Sequence, residues 1–168
     1  MPIVSYLLII ICFLVVACNE PPGMTYNVIV DPSVNLTTVE TCGAEWSSVV
    51  PGLTLSYEIA ACDKIPEMHS VCIYLDNSPS PEDAALMHTD VSADYDAAVI
   101  HIFSSSLAKK NGEEMYAFSN GLKHEFGHFL ANRTDHIAKG NLMFYAEDGN
   151  EEEMIQKEDI EYFWSNRK

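Results

Sequence analysis

Positive charge is what this 168-residue sequence has least of: 9 Lys and Arg stand against 25 Asp and Glu, a formal net charge of −16. A chain this acidic is repelled by phosphate backbones, and no basic stripe with aromatics offsets the repulsion, which argues against nucleic-acid binding. Adhesion to anionic lipid head groups by charge alone is disfavoured for the same reason. Cysteines at metal-binding spacing are missing, and so are internal repeats. No apolar run reaches the roughly 20 residues that a spanning helix needs. Charge of either sign is absent before Glu20. What remains is ordinary: 48% hydrophobic residues in a chain of one domain's length, enough for a core.

Ile3 to Ala17 is almost wholly apolar, and its length suits the hydrophobic core of a secretion signal. It ends Val15-Val16-Ala17-Cys18, followed by Asn19-Glu20-Pro21-Pro22-Gly23. This resembles the lipobox of bacterial lipoproteins, in which small residues precede a cysteine that is lipidated and becomes the new N-terminus. The resemblance implies a signal peptide over 1–17, a lipid anchor on Cys18 and a stiff Pro/Gly tether over 18–26. A single domain over 27–168 then lies outside the cytoplasm, held to the cell envelope. Because no Lys or Arg opens the segment, an uncleaved signal anchor is the alternative, with the same placement of the domain. An oxidising compartment lets cysteines pair, and of Cys42, Cys62 and Cys72 the two close in sequence, Cys62 and Cys72, are preferred.

Strand-like and helical runs together predict an α+β domain. Strand-like runs occur at Asn27 to Asp31, Leu53 to Ala61, Val71 to Leu75 and Ala98 to Phe103. Asn77 to Asp96 is polar and Pro-containing, and reads as a long surface connection with one helical turn around Glu82 to His88. A helix is predicted after Asn111, its N-cap, with Glu114 at the third helical position. Met115, Phe118, Leu122, Phe126 and Phe129 then form one apolar face. Ala117, Gly121, His124, His128 and Ala131 form a thinner second stripe. A last helix is predicted from Glu151 to Trp164, its three leading glutamates favouring the N-terminal dipole.

The chemistry is concentrated in His124-Glu125-Phe126-Gly127-His128. Two histidines at i and i+4 point the same way from a helix and can hold one zinc ion. Glu125 can reach water at that ion and take its proton as it attacks a carbonyl. The sequence continues to Asp135-His136, and then through Gly140-Asn141-Leu142-Met143 to Tyr145.

This ordered combination resembles the metzincin class of zinc endopeptidases. The resemblance implies a minimal metzincin-like α+β fold, a small twisted mixed sheet with an active-site helix and a C-terminal helix. It implies one catalytic zinc held by His124, His128 and His136, with Glu125 as general base. It also implies a Met-turn in which Met143 floors the site, and a Tyr145 hydroxyl that assists the oxyanion. The family pattern is H-E-x-x-H-x-x-G-x-x-H. Here Ala131 stands at the glycine position, Thr134 at the third histidine position, and His136 follows two residues late. Asn132 is the next best residue type for a left-handed helix exit, so the exit is expected one residue later, with a longer loop returning His136 to the metal. Asp135 is the rival third ligand, and Glu147 or one of Glu151 to Glu153 is a more distant scheme.

The implied activity is that of a zinc metalloendopeptidase acting on peptide or protein substrates. A non-catalytic envelope lipoprotein on the same scaffold and a zinc amidase acting on non-protein amides are the alternatives. The strand Ala98 to Phe103 is expected to line the cleft and pair with substrate backbone. His101 on that strand is expected to face solvent or a cleft, and His69 and His88 to lie on the surface.

Overall fold

The computed structural model describes residues 23–62, 67–79, 87–92, 96–104, 114–136, 155, 157 and 159–161. Cys18 and the N-terminal segment, Asn111, the Met143–Tyr145 turn, Glu147 and Glu151 to Glu153 lie outside the described residues. Among the described residues, no helix is long and apolar enough to cross a membrane.

Five strands form one mixed sheet: β1 (Met24–Val30), β2 (Leu53–Ile59), β3 (Ser70–Asp76), β4 (Met87–Ser92) and β5 (Ala97–Phe103). Their order across the sheet is β2-β1-β3-β5-β4. All neighbours pair parallel except β4, which runs antiparallel to β5 at the sheet's edge. Two helices, α1 (Leu36–Val49) and α2 (Glu114–Ala131), pack on the sheet, and the domain is α+β as expected. Of the expected C-terminal helix, Lys157 and 159–161 are helical, and the rest lies outside the described residues.

Alternation along each strand sends one set of side chains to the helices. Tyr26, Val28 and Val30 of β1, Val71 and Ile73 of β3, and Ile100 and Ile102 of β5 are all almost fully buried in that layer. Leu122, Phe126 and Phe129 of α2 meet them, as the three-and-four spacing predicted, and Phe118 packs at the margin. Each of these large side chains contributes roughly 1.5–3 kcal/mol on burial.

Three expectations are corrected. The helix α1 was not anticipated, because Thr37, Thr38, Val39 and Thr41 are weak helix formers and its buried face is small: Val39, Cys42, Gly43 and Trp46. Its start is marked by Asn35, whose side chain accepts from the Thr38 N–H at 3.1 Å, an N-cap in a segment that otherwise reads as polar loop. Second, the expected connection Asn77 to Asp96 contains β4. Met87 and Thr89 turn inward while His88 and Asp90 face out, so half of this strand reads as solvated loop. Residues 87 and 88 are strand where a helical turn was expected. Third, β5 is not available to an extended substrate, because β3 and β4 occupy both its edges; among the described residues the edge strands are β2 and β4, and β4 is the one packed beside α2. In addition, β1 begins at Met24, three residues before the expected Asn27.

Candidate metal centre

The centre is built at the C-terminal end of α2. Among the contacts that fix that helix against α1, the Trp46 Nε1–H donates to the Lys123 carbonyl at 2.9 Å, and the buried Lys123 ammonium pairs with Glu45 at 3.1 Å. These hold the backbone immediately before His124, so the direction of the histidine stripe is set from outside the motif.

The helix ends as its residue types require. Asn132 takes a left-handed conformation, φ 51°. Its N–H donates to the Phe129 carbonyl at 3.0 Å, and the Arg133 N–H donates to the His128 carbonyl at 3.1 Å. Together these are a Schellman cap with asparagine at the position glycine most often fills. The exit therefore lies one residue beyond the family's glycine position, and the loop after it carries His136 back over the helix.

The three predicted histidines are brought together. His124 Nε2 is 3.0 Å from His128 Nε2 and 3.2 Å from His136 Nε2. Ligand atoms separated by ~3.3 Å are what tetrahedral zinc with bonds near 2.0 Å demands, so the donor set fits that ion. His128 is buried, His124 half-buried and His136 exposed, which gives the cluster one sealed side and one open side. A carbonyl oxygen only accepts, so His128 Nδ1–H donates to Arg133 at 3.0 Å, and this tautomer leaves Nε2 with a lone pair facing the cluster. Burial first, and then the two neighbouring imidazoles, pull the His128 pKa down to about 3. At neutral pH it is the uncharged imidazole that a metal ligand must be.

Asp135, the rival ligand, is turned elsewhere: Arg133 grips its carboxylate from two sides, Nε to Oδ1 at 2.7 Å and a second guanidinium nitrogen to Oδ2. That pairing holds the carboxyl below its ordinary pKa. Glu125 is buried beneath the edge strand, and its Oε2 accepts a hydrogen bond from the Thr89 hydroxyl of β4. Sequence reasoning misses Thr89, since the segment around it reads as a polar surface connection. The only signal was the short Met87-His88-Thr89-Asp90 alternation. The expected Cys62–Cys72 disulfide is present, and Cys42 is a buried thiol.

No protein-family model matches the sequence, and no curated protein matches it by sequence. The fold is similar to that in the crystal structure of archaemetzincin from Methanopyrus kandleri, with a TM-score of 0.56 and 10% sequence identity. The likeness extends over 88% of this chain and 98% of that one. It is a likeness of fold.

Proposed function

We propose that this chain is a zinc-dependent peptidase of metzincin type. The observation that carries the proposal is the convergence of three imidazole nitrogens, from His124 and His128 on α2 and His136 on the loop after it, with a buried carboxylate, Glu125, directly after His124. The metzincin name shared by the structural neighbour and by the sequence resemblance supports the same reading.

In this reading the three imidazoles hold one zinc ion, which when bound supplies Lewis acidity and makes water more acidic. His128, pinned by its bond to Arg133, sets the orientation of the cluster. Glu125 takes a proton from the attacking water and returns it to the departing amine, the two-way role that general acid–base catalysis asks of one carboxylate. Thr89 keeps that carboxylate turned towards β4. Met143 would floor the site and Tyr145 assist the oxyanion. β4, an edge strand among the described residues, would give an extended peptide a strand to pair with. Anchored through Cys18, the domain would work outside the cytoplasm.

Glu125→Gln tests the mechanism. The variant should keep its zinc, measured by elemental analysis, and lose at least a hundredfold of its hydrolysis of a quenched-fluorescence peptide library. Undiminished hydrolysis would remove Glu125 from the mechanism. A zinc-loaded wild type that cleaves no peptide but does cleave small non-protein amides would move the assignment to an amidase.

A further inference from the structure

On the face of the sheet turned away from α2 lies a second group of side chains with metal-binding chemistry. Because Met87 and Thr89 of β4 are buried, His88 and Asp90 stand on the outer face. Strand register sets His88 directly opposite His101 of β5, and His101 beside Tyr74 of β3. The Asp90 carboxylate spans both imidazoles: one oxygen is 3.2 Å from His101 Nε2 and the other 3.3 Å from His88 Nε2. His101 Nδ1 is 3.0 Å from the Asp76 carboxylate and 2.8 Å from the Tyr74 hydroxyl. A cavity of about 210 Å³ opens at this point, with His88, Asp90, His101 and Asp76 in its wall.

We propose that His88, Asp90 and His101 form a second site for a divalent transition metal of the zinc class, with Asp76 as the outer carboxylate that orients His101. Both ring nitrogens of His101 face carboxylate oxygens, Asp76 on Nδ1 and Asp90 on Nε2. With Nδ1–H given to Asp76, Nε2 can give its lone pair to a cation that the Asp90 carboxylate ligates from the other side. A carboxylate on the far nitrogen of a ligating imidazole is also the recurrent support of such sites. Two imidazoles and a carboxylate suit zinc better than calcium or magnesium, which take oxygen ligands. The His88 side chain is half exposed, and directly opposed residues on one sheet face have Cβ atoms only about 4.5–5.5 Å apart, so it has the freedom and reach to close on the ion. Such an ion would rivet edge strand β4 to β5, while the inner face of the same strand holds Glu125 through Thr89.

The site shares no residue with the three-histidine cluster, so it stands or falls apart from the peptidase reading. The experiment uses the full chain, stripped with a chelator, reloaded with Zn²⁺ alone and dialysed before elemental analysis. The expected result is two zinc ions per wild-type chain and one in each of two variants, His88→Ala/Asp90→Asn and His124→Ala/His128→Ala. Zinc should also raise the thermal midpoint of the His124→Ala/His128→Ala variant, and lose that effect when His88→Ala is added. Circular dichroism checks the fold throughout, and His88→Ala alone, at an exposed position, repeats the count if the double change unfolds the chain. An equal zinc count in wild type and His88→Ala/Asp90→Asn would overturn the proposal, as would no zinc left in folded His124→Ala/His128→Ala.

Discussion

The hydroxyl of Thr89 donates to the carboxylate of Glu125, and so joins the edge of the sheet to α2 beside its two histidines. Both residues are buried, and a hydrogen bond to a charged group in such a place contributes about 1.5–3 kcal/mol. Thr89→Val keeps the shape and removes the donor. It should lower peptide hydrolysis roughly tenfold or more, with the zinc content unchanged. Thr89→Ser should restore most of the rate, which a purely structural role for the methyl group would not predict.

The left-handed residue at the end of α2 makes a second test. At φ 51° an alanine in place of Asn132 should cost about 1–2 kcal/mol in urea unfolding, whereas glycine should come within a few tenths of the wild type. Because the reversal also aims His136, Asn132→Ala should weaken zinc binding and Asn132→Gly should preserve it.

Tyr57 gives the fold an alkaline sensitivity. Its ring is half-buried against α1, and burial, with the nearby Glu40, pushes its pKa up to about 12. The folded value lies above the unfolded one, so the unfolded chain loses this proton first and stability falls as pH rises past 10. By pH 11 the loss from this one group, reduced by solvent screening, is on the order of 1 kcal/mol. Tyr57→Phe should remove that part of the decline, seen as a shallower drop in unfolding free energy between pH 9.5 and 11.

The Cys62–Cys72 bridge closes a short loop over a sequence separation of 10. Constraining a loop of this size in the unfolded chain contributes about 2–3 kcal/mol. Reduction, or Cys62→Ser with Cys72→Ser, should lower the unfolding free energy by that amount while leaving zinc content unchanged, since neither sulfur belongs to the histidine cluster.

Where burial is one-sided and aliphatic, the sequence states the fold openly. The strands β1, β3 and β5 and the apolar face of α2 are written in Val, Ile, Leu and Phe at periods of two and of three to four. The histidine cluster was legible for the same reason, since one helical face fixes i and i+4, and Asn132 was the residue type able to end the helix late. What escaped was carried by tertiary contact. The helix α1 buries a cysteine, a glycine and one tryptophan in place of a leucine stripe, and β4 shows polar residues on both faces. The role of Thr89 exists only because β4 lies beside α2, a neighbourhood that no local spacing encodes. His101 was legible as facing a cleft, but not its partners on β3 and β4.

The bond from Trp46 to the Lys123 carbonyl has a genetic consequence. A helix is free to roll about its axis unless something outside it forbids the roll, and here α1 does so one residue before the first histidine. Substitutions between Leu36 and Val49 that loosen this contact should alter the angle at which His124 and His128 are presented. Loss-of-function alleles should therefore gather in α1 as well as around the histidines, in a stretch where no motif would lead anyone to look for them.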